Sequence, residues 1–157
     1  MSEQRDEEKA GASIVKETQD EHRACMQLLS EVEECLDRPP DDPAGWISDL
    51  KQRLTRLTAA LDEHFTGEEA GPMFRDLPIR HPRLAGPLKQ LEDEHKEMRV
   101  DLQSVRDKAE ELDQPEVFEL RELNARVQLF VARLRRHEAA ENELVIQAYW
   151  DEVGVGD

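Results

Sequence analysis

The chain has 157 residues, of which 37% are charged and 4% are aromatic, and its formal net charge is -16 at pH 7. This length predicts one domain that is large enough to bury a hydrophobic core, and the abundance of Leu, Glu, Arg and Ala favours helices. An acidic chain repels nucleic acid and anionic lipid, and no basic stripe offsets that charge here. We therefore expect neither nucleic acid nor a membrane as a partner.

The sequence also carries signals about its compartment. No apolar run is long enough to span a bilayer, and the charged first residues lack the pattern of a signal peptide. Cys25 and Cys35 lie ten residues apart on one predicted helix, about 15 Å at the helical rise, which is too far for a disulfide. Reduced thiols are typical of the cytoplasm, so we expect a cytoplasmic protein.

Apolar residues recur at intervals of three or four in four segments of the chain, which is the pattern of helices with one buried face. Residues 1–13 are polar and lack this period, so the sequence predicts a disordered tail there. Residues 14–150 are predicted to form one domain of four helices, and residues 151–157 a frayed C-terminus. The expected fold class is therefore all-α.

Caps and prolines separate the four segments. Asp42 is a good N-cap and Pro43 a good first residue for the second helix, and Gly71 with the proline after it ends that helix. A proline-rich connector follows. The third helix either begins at Gly86 and the proline after it or has a bent first turn there. Residues 113–116 then provide the cap of the fourth helix.

Two strings in the chain share the pattern His-x-x-x-Glu. One runs from His64 to Glu68 and the other from His137 to Glu141. Residues four apart share one face of a helix, so each pair can point at a single target.

Each string follows a further histidine at the same distance. His22 precedes the first string and His95 the second by 42 residues (64 − 22 and 137 − 95). The tripeptide Asp-Glu-His ends at both of these histidines, so one unit occurs twice with an offset of 73 residues (95 − 22). A period this long indicates a duplicated helical hairpin and not a solenoid.

The four histidines and both glutamates lie on the apolar stripes of their helices. Each predicted turn lies midway between two successive histidines, so an antiparallel up-down-up-down four-helix bundle places all four at one level. A buried carboxylate is costly unless it is neutralised or bound to something. The pattern therefore predicts a polar site inside the bundle.

Imidazole combined with carboxylate suits iron, manganese or zinc. Six ligands are too many for one tetrahedral zinc ion, and they suit two metal ions, each with two imidazoles, that share Glu68 and Glu141 as bridges. The remaining positions would hold solvent, an oxo or hydroxo bridge, or a small diatomic ligand. The alternative is a buried His/Glu hydrogen-bond network without metal.

This set of residues resembles the hemerythrin-like (HHE cation-binding) domain family over about residues 14–150. The resemblance implies a four-helix bundle that holds a non-haem di-iron centre, two iron ions with an oxo or hydroxo bridge, with manganese or zinc as other possible metals. It also implies that Glu68 and Glu141 bridge the two ions. The implied metal ligands are His22, His64, Glu68, His95, His137 and Glu141.

The sequence departs from the oxygen-carrying hemerythrins at two positions. Arg99 stands where those proteins have a second histidine in the third helix, and Asn142 stands where they have an aspartate. Arginine does not bind iron, because it stays protonated. A more symmetric site with more solvent positions is therefore expected, a pattern that resembles family members tied to iron sensing or to peroxide or nitric oxide chemistry.

Five residues near the histidine level are candidates for the wall of a ligand pocket: Cys25, Phe65, Met98, Arg99 and Leu102. Core packing is the default role for Cys25, Met98 and Leu102. Arg99 is expected either to pair with a nearby carboxylate, including a bridging one, or to lie on a solvated flank.

Each of the four histidines has a glutamate beside it in sequence. Neighbouring residues point off a shared helix face, so Glu21, Glu63, Glu94 and Glu138 are expected to be solvated. His81 lies in the proline-rich connector, and we expect it at the surface.

The sequence therefore predicts a di-iron protein that binds dioxygen or a related small ligand such as nitric oxide or peroxide, in a sensing, storage or protective role. Catalysis is not the favoured interpretation, and the main alternative is a di-iron enzyme of the peroxidase or catalase type. A third possibility is a structural bundle that holds zinc or no metal.

Overall fold

The structure is a computed structural model that describes residues 2–154, without the side chains at positions 7, 10–19, 21 and 22. Within these residues it has helices and no strands, so the all-α prediction is confirmed. The helices are α1 (Ser2–Asp37), α2 (Pro43–Ala70), α3 (Pro72–Arg75), α4 (Leu77–Arg80), a 3-10 helix (Pro82–Leu84), α5 (Ala85–Glu111) and α6 (Val117–Glu152). In the described part of the chain, no helix combines the length and apolar character that crossing a membrane requires.

Four of these helices are long, and they correspond to the four predicted segments. α1 packs against α2 and α6, and α5 packs against the same two helices. Each long helix therefore has two long neighbours, and the four enclose a shared interior as a helical bundle. The short helices α3 and α4 connect α2 to α5. α3 contacts both of these long helices, and α4 contacts α3 and α5.

The predicted caps are found where the sequence places them. The Asp42 side chain accepts a hydrogen bond of 3.2 Å from the Gly45 N–H, and Pro43 is the first residue of α2. At the other end of α2, the Gly71 N–H donates to the Glu68 carbonyl at 3.0 Å. α6 begins after Glu116, whose N–H donates to the Glu119 side chain at 3.1 Å.

The start of α1 differs from the sequence-based expectation. The helix begins at Ser2 and includes residues 2–13 of the predicted disordered tail. Glu, Gln, Lys and Ala dominate this segment, and they are strong helix formers even where no periodic apolar face is present. α6 ends at Glu152, and the last three residues of the predicted frayed C-terminus lie outside the described residues.

α5 begins at Ala85, so of the two alternatives the structure has the helix start and not a bent turn. The proline in its first turn costs little there, because that position has no helical partner for an N–H.

The connector between α2 and α5 is more ordered than a loop. Four of its side chains are buried with residues of α5 and α6 in a small apolar cluster: Met73, Phe74, Leu77, Leu84, Leu88, Leu91, Val145 and Ala148. The side chain of His81 in this connector is only 14% exposed, and its Nε2 lies 3.3 Å from Glu152 Oε1. The prediction of a surface histidine is therefore wrong.

A larger apolar cluster fills the rest of the interior, and its members on α2, α5 and α6 include Leu50, Leu54, Leu57, Leu61, Phe65, Met98, Leu102, Val127 and Leu134. The boundary between the clusters can be followed along α5. Leu91 belongs to the small cluster, His95 comes next, and Met98 belongs to the large one. A polar layer of buried histidines and glutamates thus lies between two apolar regions.

Candidate metal centre

Three long helices bring the predicted ligands together in this polar layer. Their ligand atoms lie within 4.8 Å of one another in two overlapping groups. The first group is Glu68, His95, His137 and Glu141, and the second is His64, Glu68, Glu138 and Glu141. The structure therefore brings together five of the six predicted ligands, whereas the side chain of His22 lies outside the described residues.

Two carboxylates, those of Glu68 and Glu141, each contact two imidazoles that lie on different helices. Glu68 contacts the Nε2 of His64 through Oε1, and its Oε2 lies 3.3 Å from the Nε2 of His95. Glu141 Oε1 lies 3.1 Å from His95 Nε2 and 2.6 Å from His137 Nε2. The three described imidazoles of the layer thus turn Nε2 inwards, and Glu68 and Glu141 lie between them.

The layer is deeply buried, and burial governs its protonation. Burial raises the pKa of Glu68 to about 7. Burial alone would lower the pKa of His95, but its hydrogen bonds with Glu141 and Glu68 outweigh this and raise the pKa to about 9. The pKa of His137 is raised in the same way, since the contact with Glu141 outweighs burial. Without a metal, Glu68 and the two imidazoles therefore keep their protons to a higher pH than they would in water.

These donors fit a pair of metal cations. Neutral imidazole nitrogens and carboxylate oxygens are common ligands of divalent transition metals, and a cation in the layer would replace the protons that now neutralise it. The arrangement also matches helical bundles that hold two metal ions between inward-facing Glu and His side chains.

The model of the Hemerythrin HHE cation binding domain matches residues 13–150 of the chain. The protein belongs to the hemerythrin HHE family. Comparison with curated proteins and with solved structures gives no significant match. Membership of the family confirms the resemblance seen in the sequence, and together with the buried His/Glu cluster it indicates a metal-binding protein.

The outward-facing nitrogens of two imidazoles in this HHE domain also have partners. His95 Nδ1 donates to Glu69 Oε1 at 3.1 Å, and His137 Nδ1 donates to Glu94 Oε2 at 3.0 Å. A proton on Nδ1 leaves Nε2 available for a metal, and such carboxylates also fix the orientation of the ring. The prediction that Glu94 is solvated is therefore wrong, because it reaches from α5 to an imidazole of α6.

Arg99 extends one of these contacts towards the surface. Its Nη1 donates to Glu69 Oε1 at 3.0 Å, its Nε to Asp62 at 3.2 Å and its Nη2 to Thr66 at 3.3 Å. Of the alternatives predicted for Arg99, pairing with a carboxylate is confirmed, but the partner is not a bridging candidate. Burial would raise the pKa of Glu69, but hydrogen bonds from His95 and Arg99 outweigh it and lower that pKa.

Aromatic rings enclose His95 on two sides. The Phe65 ring stacks on the imidazole with a centroid distance of 4.1 Å and an angle of 9° between the planes. Phe74 from the connector presents its edge to the same imidazole at 5.4 Å. These contacts restrict the rotation of His95 and exclude water from its faces.

A groove between α2 and α5 reaches Phe65 from the surface. It has a volume of about 470 Å³, and four of the five predicted pocket residues lie along it: Phe65, Met98, Arg99 and Leu102. The fifth, Cys25, is not part of its lining and instead groups with His64 and Glu138 within 4.8 Å. Burial raises the pKa of the Cys25 thiol to about 12.

Glu138 is a member of the layer that sequence reasoning missed. Only 2% of the residue is exposed, and its Oε1 lies 3.3 Å from His64 Nε2, so the prediction of a solvated side chain is wrong. α6 is packed against both α1 and α5, which makes its buried face wide enough for adjacent residues. The signal was present, since Leu134, Glu138, Glu141 and Val145 continue a second stripe with steps of four and three.

The other two glutamates next to histidines do not change the site. Glu63 is exposed, as predicted. The side chain of Glu21 lies outside the described residues.

Proposed function

We propose that this HHE protein is a non-haem di-iron protein that binds dioxygen, nitric oxide or peroxide in a sensing, storage or protective role. The observation that carries the proposal is that Glu68 and Glu141 belong to both groups of converging ligand atoms, one with His95 and His137 and the other with His64. Carboxylates that reach two groups of donors are placed to bridge two metal ions in a helical bundle.

The proposal includes a complete ligand set and a topology. His22 of α1 would be the sixth ligand, paired with His64 as His95 is paired with His137. The long helices would run alternately up and down, as an antiparallel four-helix bundle with all four histidines at one level.

The residues around such a centre would have different roles. Bound iron would supply one-electron chemistry and free coordination positions for a small ligand. Glu69 and Glu94 hold the Nδ1 protons of two imidazoles, so that Nε2 is the nitrogen that each ring would present to iron. Phe65 and Phe74 cover His95 and would keep bulk water from that side of the centre.

A second candidate is a peroxide-consuming enzyme of the peroxidase or catalase type. The groove beside Phe65 favours it, because turnover requires repeated entry of substrate and exit of product. Release of oxygen or loss of added hydrogen peroxide, measured over many equivalents per chain, would distinguish this enzyme from a binding protein.

The test is the metal content of freshly purified protein, combined with its near-ultraviolet and visible spectrum. We expect two iron ions per chain and ferric absorption bands that zinc cannot give. Glu68→Ala should lower the iron content, whereas Glu63→Ala, at an exposed position beside the same histidine, should leave it unchanged. Purified protein that holds no metal and takes up none on incubation with ferrous iron would overturn the proposal.

A further inference from the structure

We propose that Glu138 is a seventh metal ligand, and that it makes the two metal positions of the centre chemically different. The position beside His64 would gain a third side-chain donor of its own, and the position beside His95 and His137 would remain open to a small ligand. The assignment presupposes the di-metal centre proposed above and concerns how its two positions differ.

The distances place Glu138 within reach of an ion at His64. Its Oε1 lies 3.3 Å from His64 Nε2, and both residues belong to a group with Glu68 and Glu141 whose ligand atoms lie within 4.8 Å of one another. Two donors of one ion are separated by at most about twice a bond of about 2.0–2.2 Å. An ion in this group therefore requires shifts of only a few tenths of an ångström.

The charge in the layer supports the same assignment. Glu138 is as deeply buried as the two bridging candidates, so three carboxylates share one interior site. Carboxylates that lie this close repel one another unless protons or cations lie between them. Two metal cations carry enough positive charge for three carboxylates, and a third carboxylate bound to only one of them breaks the symmetry of the pair.

The two halves of the internal repeat have different residues at the positions that produce this asymmetry. The offset of 73 residues pairs Glu138 with Phe65, and Cys25 with Met98. One half of the layer therefore has a carboxylate and a thiol beside His64. The other half has an aromatic ring and a thioether at the equivalent places, and both of these line the groove between α2 and α5.

Arg99 and Glu138 then have complementary effects. Arg99 removes a possible imidazole donor from the ion beside His95, because it stands one helical turn after that histidine and binds Glu69 instead. Glu138 adds a carboxylate to the ion beside His64. A second histidine in the third helix, at the position of Arg99, would make the two ions different by adding a donor to the ion beside His95. Glu138 makes them different by adding a donor to the other ion, so the ion with fewer donors lies beside Phe65 and the groove.

The first test is Glu138→Gln, which keeps the side-chain shape and removes the charge, with Glu63→Gln as the matched control. Metal-free protein is titrated with ferrous iron under anaerobic conditions, and bound iron per chain is counted after gel filtration. We expect two tight sites in the wild type and in Glu63→Gln. In Glu138→Gln we expect one tight site and a second that is weakened by tenfold or more.

The second test uses Mössbauer spectra of protein loaded with ⁵⁷Fe, which report the surroundings of each iron separately. The wild type should give two doublets of equal area, and Glu138→Gln should alter one of them. Circular dichroism checks that each metal-free variant is folded. If Glu138→Gln does not fold, Glu138→Asp keeps the charge, shortens the side chain and should weaken the same single site.

A third variant separates the carboxylate from the nearby thiol. Cys25→Ser should retain both sites, and loss of one site in Cys25→Ser but not in Glu138→Gln would assign the thiol and overturn the proposal. Two equivalent doublets in the wild type, together with unchanged iron binding in Glu138→Gln, would also overturn it while leaving the di-iron proposal intact. A wild-type protein without any iron site would overturn both the di-iron proposal and the assignment of Glu138.

Discussion

The large apolar cluster and the polar layer occupy neighbouring stretches of the same helices, yet their physical chemistry is opposite. In the cluster, side chains such as Leu54 and Leu57 are fully buried and gain free energy from leaving water. In the layer, carboxylates and imidazoles are buried as deeply and lose hydration that only partners or cations can replace. The residues that stabilise the fold and the residues that can bind a metal are therefore separated along the bundle axis.

The apolar regions on both sides explain how the layer is held in place. Along α6, Leu134 belongs to the large cluster and Val145 to the small one, and the layer residues lie between them. Close-packed neighbours leave these side chains few rotamers. The ligands are therefore positioned before any metal arrives, and the metal-free protein is expected to remain folded.

The largest effect should come from the apolar cluster. Leu54→Ala removes a fully buried side chain and should lower the free energy of unfolding by about 2–5 kcal/mol. Denaturant unfolding of metal-free protein measures this, with Leu129→Ala as the control because Leu129 is 73% exposed. The amount of iron bound by folded protein should stay the same. A folded Leu54→Ala protein that binds less iron would show that cluster and layer are not separable.

Protonation of the layer provides a second test. Folding raises the pKa of Glu68 from 4.5 to about 7 and that of His95 from 6.5 to about 9. The folded state therefore holds these protons more tightly than the unfolded state. Their stabilisation is fully present below pH 4.5 for Glu68 and below pH 6.5 for His95, and it is lost as the pH rises through the two folded-state values.

Metal binding should depend on pH in the opposite direction. Imidazoles must be neutral to bind a metal, so iron affinity should fall as the pH decreases. Denaturant unfolding of metal-free protein and iron titrations, each between pH 4.5 and pH 9, measure the two trends. Glu68→Gln should flatten the decrease in metal-free stability between pH 4.5 and pH 7. An unchanged slope in that variant would contradict the role of Glu68.

Features that depend on local sequence signals could be predicted from the sequence. Turn and cap signals are local, so Asp42 and Gly71 gave the correct ends of α2. The four-residue spacing of histidine and glutamate is also local, and it predicts four of the five described ligand candidates that the structure brings together. The fifth, His95, follows from the 42-residue spacing within the internal repeat.

Other features depend on contacts between helices, which one stripe of apolar residues does not encode. The main stripe of α6 places Glu138 in solvent, but the buried face of this helix is wider than that stripe. The role of Glu94 cannot be predicted from its own helix, because its partner His137 lies on another helix. The connector contains short helices whose apolar side chains are buried only against α5 and α6, so Phe74 could not be placed beside His95 in advance.

The smallest expected effect concerns the border between the layer and the surface. Arg99 and Arg133 form a matched pair, because their side chains are 33% and 35% exposed and each contacts two carboxylates on a neighbouring helix. Ion pairs at this exposure contribute about 0–1 kcal/mol to stability, so either Arg→Ala substitution should change unfolding only slightly. Only Arg99, however, holds a carboxylate that orients an imidazole of the layer.

Iron titration should therefore distinguish Arg99→Ala from Arg133→Ala, although unfolding measurements should not. Loss of a carboxylate that orients a metal-bound imidazole typically weakens metal binding by about 10–100-fold. We expect Glu69→Gln to fall in that range, Arg99→Ala to show a smaller loss in the same direction, and Arg133→Ala to bind iron as the wild type does. Equal affinities in the two arginine variants would mean that Glu69 orients His95 without help, and that the polar layer ends at Glu69 and not at Arg99.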